Sequence, residues 1–214
     1  MKDKQQRLQR GQYVAAAIGV VALGYWSAVF LHARLYQARA ARAFEGNLRT
    51  TKRDKQPDPG SQASMTATQE GPIEGSVVAQ LAIPRLGLES IVVEGVEARD
   101  LRLAPGHIPG TPLPGQAGNV AIAGHRDTFF RPLRLIRKND VIQLTTFRGK
   151  DQYRVVSTEI VAPSDIEVSY PTGRDALTLV TCYPFYYVGA APNRFIVRAE
   201  RFAGRPFQAA SPSE

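Results

Sequence analysis

One cysteine, one histidine and one arginine stand at the ends of apolar, strand-like runs in this 214-residue chain. Cys182 closes the run Ala176-Leu-Thr-Leu-Val-Thr-Cys, and His125 follows the run Asn119-Val-Ala-Ile-Ala-Gly. Arg194 opens the run Arg-Phe-Ile-Val. Because a strand is a rigid element that can aim the side chain at its end, these three groups could converge at one end of a barrel or sandwich.

Such a set is sufficient for acyl transfer. A cysteine thiolate can attack a carbonyl carbon, a histidine can protonate the leaving amine, and an arginine can stabilise the oxyanion that develops. Taken one at a time, the three residues have plainer interpretations: an inert core thiol, a turn histidine and a solvated arginine. Spacing excludes a Cys-x5-Arg phosphate loop, because position 188 is Val188. A papain-like enzyme would place Cys before His, and a redox pair would need a second cysteine.

Short runs rich in Val and Ile, separated by turns that contain Gly and Pro, predict the strands that position these groups. The predicted strands are Val77–Ile83, Ser90–Gly95, Asn119–Ala123, Val141–Thr146, Tyr153–Val161, Leu177–Thr181 and Phe195–Ala199. Short helices are predicted only around Ala98–Leu103 and Phe129–Ile136. Seven or eight short strands in about 130 residues predict a mainly β fold, either an antiparallel sandwich or a closed barrel.

The N-terminal part of the chain contains a candidate membrane span. From Gly11 to Leu31 there are 21 residues without a charge, enough to cross a hydrocarbon core of about 30 Å as a helix. Tyr13, Tyr25 and Trp26 lie towards its ends, where aromatic rings favour the membrane interface. The alternative is a cleaved signal peptide, but the run exceeds the usual h-region of about 7–15 residues and no A-x-A site follows at once. We therefore predict an uncleaved anchor.

The remaining segments follow from composition. Residues 1–10 form a tail, predicted to be cytoplasmic; 32–75 form an Ala- and Arg-rich juxtamembrane helix and then a flexible polar linker; 76–206 form the β domain; 207–214 form a C-terminal tail. Basic residues flank the span on both sides, so the positive-inside rule leaves its orientation open. The basic flank that follows the span could lie on anionic lipid head groups.

Charge and cysteine content exclude several function classes. The net charge is +8, but residues 1–75 carry 11 basic and 6 acidic side chains, whereas 76–206 carry 16 and 12. The β domain therefore has no concentrated basic face with stacking aromatics, and we predict no nucleic-acid binding. With one Cys and three His, the chain cannot form an internal disulfide, and no metal site is predicted.

Taken together, the motifs resemble the sortase family, the membrane-anchored cysteine transpeptidases of bacterial surfaces. The matching features are TLVTC ending at Cys182, the strand end at His125, and Arg194 twelve residues after the cysteine. The resemblance covers roughly residues 77–202, and GHIPGTPLPGQAGNVAIAGHRDTFF and TLVTCYPF are similar to the class D and E branch, class D more closely. It implies an eight-stranded sortase-type β-barrel with short helices, after one N-terminal span and a linker.

The resemblance also implies roles. Cys182 would attack the carbonyl of the Thr in an LPxTG-like sorting signal and form a thioacyl intermediate. His125 would be the general acid and base, and Arg194 would bind the oxyanion or the substrate backbone. An amine would then take the acyl group, with water as the competing acceptor. The family uses no organic cofactor; some members use calcium, but no acidic cluster in the sequence requires it.

Four further residues are predicted to bind or border the substrate. Thr181 precedes the predicted nucleophile, and Tyr183 follows it. Asp127 could orient the imidazole of His125 or be an exposed turn acid. His107, in the loop GHIPG, is expected to be structural or adjacent to the substrate rather than catalytic.

Because sorting substrates are exported, the resemblance implies a single-pass protein of the cytoplasmic membrane with its barrel on the extracytoplasmic side. Its partners would be exported proteins with a C-terminal sorting signal, an amine acceptor (a cell-wall precursor or another surface protein) and membrane lipid. Two alternatives remain open at this point. One is a hydrolase of the same signal, and the other is a non-catalytic membrane-anchored β scaffold.

Overall fold

The computed structural model describes residues 2–54, 71–165, 173–187 and 189–202. Eight strands close into a barrel in the order β1-β2-β3-β4-β7-β8-β6-β5, which confirms the predicted fold. The strands are β1 Val77–Ile83, β2 Leu88–Glu94, β3 Gly106–His107, β4 Asn119–Ala123, β5 Val141–Thr146, β6 Gly149–Val161, β7 Ala176–Tyr183 and β8 Asn193–Arg201. The helices are α1 Lys2–Asp54 and α2 Ala98–Leu101, with 3-10 helices at Pro84–Leu86 and Arg131–Leu135.

All seven predicted strands are present, and the eighth strand, β3, is the one that the sequence did not reveal. It has two residues, in a stretch rich in Gly and Pro, which is too short for any alternation of side chains to be detected. β3 nevertheless completes the barrel, since it pairs in parallel with β2 (Val93 opposite Gly106) and antiparallel with β4 (His107 opposite Ile122).

Inward-facing apolar side chains of all the longer strands form one core. Leu81, Ile122, Leu144 and Leu179 are fully buried in it. Tyr153 enters the same core, and burial raises its pKa to about 12, so the phenol stays protonated. β4 and β7 are buried on both faces over most of their length, as near-continuous apolar runs in parallel strands usually are.

Helix α1 is longer than the sequence analysis predicted, and it contacts the barrel. It continues without a break from the predicted span to Asp54. Within α1, the segment Ala16–Thr50 is the one helical stretch in the described part of the chain that is long and apolar enough to cross a membrane. Beyond the span, Gln37 and Phe44 lie against the barrel. The predicted linker residues 55–70 lie outside the described residues.

An ion pair between an exposed arginine and a buried aspartate joins two turns at one end of the barrel. Arg85, in the first 3-10 helix, donates two hydrogen bonds to the carboxylate of Asp140, which lies just before β5. The backbone N–H of Arg137 donates to the same carboxylate at 2.7 Å. These bonds, above all those from Arg85, hold the pKa of Asp140 below its ordinary value although burial acts in the opposite direction.

We predict that Asp140→Asn lowers the free energy of unfolding at pH 7 by about 2 kcal/mol, because it removes charge-assisted hydrogen bonds in a nearly buried position. The carboxylate stabilises the fold fully above the ordinary pKa of 3.8 and less as the pH falls through the lower folded value. Urea unfolding of the wild type and the variant from pH 7 to pH 2 should therefore show a difference that shrinks on acidification. Asp165→Asn, at an exposed position, is the control and should leave the curve unchanged.

Candidate active site

The parallel pairing of β4 with β7 brings two of the predicted residues to the same barrel end. Ala123 lies opposite Val180, and the N–H of Gly124 donates to the carbonyl of Val180 at 3.0 Å. Both strands run in the same direction, and β7 continues to Tyr183 while β4 ends at Ala123. His125, two residues beyond the Ala123–Val180 pair, therefore leaves β4 at the level of Cys182, two residues beyond the same pair in β7.

Antiparallel pairing of β7 with β8 brings the third predicted residue to this end. Cys182 lies directly opposite Arg194 in the register. Directly opposite residues of an antiparallel pair project to the same face, with their Cβ atoms about 4.5–5.5 Å apart. The structure thus gathers the cysteine, the histidine and the arginine on three adjacent strands.

The side chain of Thr181 fastens the two strand ends together. Its hydroxyl donates to the carbonyl of Gly124 at 2.6 Å, and the residue is only 2% exposed. The bond therefore joins the residue before Cys182 to the residue before His125. Sequence analysis placed Thr181 among the substrate contacts, but in this structure its hydroxyl is buried and engaged within the protein.

Gly124 is a glycine because an aromatic ring occupies the space next to its Cα. A Cβ built there would lie 2.8–2.9 Å from three ring carbons of Phe130, and Phe130 is fully buried. The N–H of Phe130 donates to the carbonyl of His125 at 3.0 Å, so the turn after the histidine folds back over the glycine. This close approach sets the direction in which the chain leaves β4.

The predicted nucleophile is a free thiol, and both it and His125 are half-buried. They are thus accessible to a substrate while being positioned by buried neighbours. Asp127, predicted as a possible partner of the imidazole, is exposed, and no hydrogen bond among the described residues joins it to His125. The structure therefore favours the exposed-turn interpretation of Asp127.

Arg194 is held by its own loop. Its Nη1 donates to the carbonyls of Ala191 and Asn193 at 3.3 and 3.1 Å. Both bonds use the same nitrogen, so the Nε and Nη2 donors have no hydrogen-bond partner among the described residues. Those donors are the ones that could serve a bound carbonyl or oxyanion beside Cys182.

Aromatic side chains cluster at this end of the barrel, on the face of β7 and β8 opposite to Cys182 and Arg194. Tyr183 stacks on Phe195 with ring centroids 6.3 Å apart, and Phe185 meets Phe195 edge-on at 5.3 Å. Tyr183 was predicted to border the substrate, but it directly follows Cys182 within β7, so its ring projects to the opposite face of the strand from the thiol. The two phenylalanines were not singled out in the sequence, because an isolated Phe in a loop or strand resembles any other core residue.

His107 lies apart from this group as a buried structural residue. It is 1% exposed, its Nδ1 faces a carboxylate oxygen of Glu94 at 2.7 Å, and its Nε2 faces the carbonyl of Pro112 and the hydroxyl of Thr111, both at 3.0 Å. These contacts tie the Gly- and Pro-rich loop to β2. His107 was expected to be either structural or adjacent to the substrate, and its burial among these partners fits the structural role.

Arg126 is a residue of the site that sequence reasoning missed. It directly follows His125, and its Nη2 donates to the carbonyls of Tyr187 and Gly189 at 2.6 and 3.2 Å. These carbonyls belong to the loop between Cys182 and Arg194. A single arginine after a histidine carries no pattern of its own, so only the fold shows that it links two loops of the site.

Acidic groups capable of holding a cation gather elsewhere, at Glu74, Glu97 and Asp100, whose ligand oxygens lie within 4.8 Å of one another. Sequence analysis expected no such cluster, since Glu74 is distant in sequence from the other two. Arg99 supplies a positive charge there, because its Nε donates to Asp100 at 3.2 Å. None of these residues belongs to the strand ends that carry Cys182, His125 and Arg194.

A thiol, an imidazole and a guanidinium on adjacent strand ends form a group that can perform acyl transfer. The thiol supplies a nucleophile, the imidazole a proton donor and acceptor, and the guanidinium a stabilising positive charge.

Residues 81–202 match the family model of the sortase domain. Sortase D of Bacillus subtilis is 37% identical over 131 residues, 61% of this chain and 66% of that protein. Sortase A of Bacillus anthracis is 28% identical over 110 residues, 50% of this chain and 52% of that protein. The matches thus span about half to two-thirds of the curated relatives' own length.

A solved structure shares the fold. The Clostridium perfringens Sortase D5 transpeptidase superposes with a TM-score of 0.63 at 24% identity, covering 78% of this chain and 99% of that one. At this identity the likeness concerns the architecture alone.

We predict that Gly124→Ala lowers the free energy of unfolding by about 1–3 kcal/mol, because the new methyl group must displace the buried ring of Phe130. Chemical denaturation measures the loss, and the rate at which iodoacetamide labels Cys182 should also change, because the strand end shifts. Gly46→Ala, in helix α1 where a Cβ meets nothing within 4 Å, is the matched control. It should be neutral or stabilising, and an equal loss in both variants would contradict the account.

Proposed function

Because this chain belongs to the sortase family, we propose that it is a membrane-anchored cysteine transpeptidase that cleaves an LPxTG-like sorting signal after its Thr and transfers the acyl group to an amine. The observation that carries the proposal is the register of β4, β7 and β8, which assembles Cys182, His125 and Arg194 on adjacent strand ends. We propose no organic cofactor, because thiol, imidazole and guanidinium suffice for the reaction.

In the first half-reaction the thiolate of Cys182 attacks the carbonyl carbon of the signal's Thr, and the C–S bond forms. The negative charge moves to the carbonyl oxygen, where the Nε and Nη2 donors of Arg194 stabilise it. When the tetrahedral intermediate collapses, the C–N bond breaks. His125, as imidazolium, gives its proton to the leaving amine, and a thioester on Cys182 remains.

In the second half-reaction an amine attacks the thioester carbon. His125, now neutral, takes the proton from the attacking nitrogen, and the C–S bond breaks to return the thiolate. The product is a new amide, and the enzyme regains its initial protonation state. Water can replace the amine, so hydrolysis of the same signal is the alternative outcome, and it differs only in the acceptor.

Membrane anchoring is supported by helix α1, whose apolar stretch is exposed in the structure and long enough to span a bilayer. We propose that the barrel lies on the extracytoplasmic side, where exported proteins with a C-terminal sorting signal present it. The acceptor would be an amine of a cell-wall precursor or of another surface protein. Exposed arginines of α1 such as Arg39 and Arg42 would face anionic lipid.

The function is tested with the full chain in detergent or vesicles, a panel of LPxTG-like peptides and a small amine. We expect mass spectrometry to show a thioacyl adduct on Cys182 that passes to the amine. Cys182→Ala should abolish adduct and product, and His125→Ala should lower kcat/KM at least about 100-fold, the lower range for a general acid–base group. Arg131→Ala, an exposed arginine of the second 3-10 helix, is the control and should keep wild-type rates.

If the folded wild type forms no adduct with any peptide, the transpeptidase proposal is wrong and the non-catalytic scaffold is the interpretation that remains. An adduct that passes only to water, whatever amine is present, would instead identify a hydrolase.

The strand-end bond gives a second prediction. Thr181→Val removes the hydroxyl that bonds to Gly124 but keeps the volume, so the alignment of Cys182 with His125 should loosen and kcat/KM fall about 10-fold to 100-fold. Thr181→Ser keeps the donor and should stay within about 3-fold of wild type. Equal rates in the Val and Ser variants would show that the bond plays no part in catalysis.

A further inference from the structure

Helix α1 carries a buried stripe beyond its membrane span. Its members recur at spacings of three and four residues, which places them on one face of a helix. They are Ala33, Tyr36, Gln37, Ala40, Ala41, Phe44 and Leu48, all half-buried or buried. Arg39, Arg42 and Arg49 are exposed between them. The stripe therefore has a partner, and that partner is the barrel.

Phe44 is the apolar anchor of this contact. It is 2% exposed, and its ring centroid lies 4.6 Å from that of Phe147 at an interplanar angle of 55°. Phe147 belongs to the tight turn between β5 and β6. Such complete burial of an aromatic side chain indicates that α1 packs against the barrel and does not act as a flexible tether.

Gln37 provides the directional part of the contact, with three hydrogen bonds to the barrel. Its Nε2 donates to the carbonyl of Leu103 at 2.8 Å. Its Oε1 accepts from the backbone N–H of Ile91 at 2.8 Å and from the hydroxyl of Ser90 at 3.1 Å. Bonds to two separate segments determine both the rotation of the helix about its axis and its position along it.

The segment between the span and this interface is stiff. Phe44 lies thirteen residues after Leu31, with no Pro or Gly between them, and α1 is continuous throughout. At 1.5 Å per residue the anchor contact is about 20 Å along the helix from the end of the span. Ala, Arg, Leu and Gln, which favour helices, dominate this stretch.

We propose that α1 is a rigid strut that holds the barrel at a set height and orientation above the bilayer, so that the height of the cleavage site becomes a determinant of substrate choice. The substrates favoured would be membrane-held exported proteins whose signal lies at the matching distance from the bilayer. This inference rests on the proposed function and adds a geometric filter to it. A barrel on a flexible tether would instead accept a wide range of heights.

The test uses the full chain in lipid vesicles with one signal peptide in two forms: free in solution, and joined to a transmembrane helix through spacers of increasing length. For the wild type we expect a sharp optimum, with the best spacer cleaved about 10-fold faster than the longest. Phe44→Ala combined with Gln37→Ala should reduce that ratio to about 2-fold, because the barrel can then move relative to the helix. Cleavage of the soluble peptide should be unchanged, which also shows that the barrel is folded.

Leu35→Ala is the matched control, since it truncates an apolar side chain of the same helix segment that is 46% exposed. It should keep the sharp optimum. A flat spacer profile in the wild type, or an unchanged sharp profile in the double variant, would overturn the strut.

A measurement without activity separates this inference from the proposed function. A dye is attached to Lys138→Cys, an exposed barrel position, in a Cys182→Ala background, and its distance to acceptor lipids is measured by energy transfer. We expect a narrow distance distribution that broadens when Phe44→Ala and Gln37→Ala are added. If the distance distributions with and without Phe44→Ala and Gln37→Ala have equal width, the strut is refuted even if the enzyme is active. If the distribution is narrow without these two substitutions and broad with them, the strut is supported even if no peptide is cleaved.

Discussion

The parallel pairing of β4 with β7 is the constraint on which the site depends. Parallel neighbours end at the same edge of a sheet, so the residues that follow them are brought together whatever the intervening chain does. The buried bond from Thr181 to Gly124 secures that edge at 2.6 Å. Because both strands are buried on both faces, neither can slip in register without exposing apolar side chains to water or forcing polar groups into the core.

The loop between β7 and β8 forms the second part of the site. The segment between β7 and β8 connects Cys182 to Arg194, and the guanidinium of Arg126 bonds to two carbonyls within it. The residue after His125 thus holds the loop that links the other two members of the group. A site built in this way is rigid where the reacting side chains are attached, while its outer wall is held by a few polar contacts.

The helix that would anchor the protein is part of the same folded body. Its contact with the barrel combines one buried aromatic ring, Phe44, with the directional bonds of Gln37. The apolar contact excludes water from the interface, and the bonds determine its register. A helix packed in this way keeps one position relative to the barrel, whereas a flexible polar linker of similar length would allow many positions.

Much of this protein could be predicted from local sequence. Alternating Val and Ile runs between Gly and Pro turns predicted seven strands and the two short helices, because side-chain periodicity and turn chemistry act over a few residues. The candidate span from Gly11 to Leu31 could be recognised for the same reason, as could Cys182, His125 and Arg194 at the ends of strand-like runs. Only the tertiary structure decided the rest: β3, which has two residues and exists through its neighbours; Arg126, whose partners lie 61 and 63 positions away; and the packing of α1. The stripe on α1 is present in the sequence, but a pattern of small and apolar residues on a helix does not say what will cover it, since that surface is assembled from strands far along the chain.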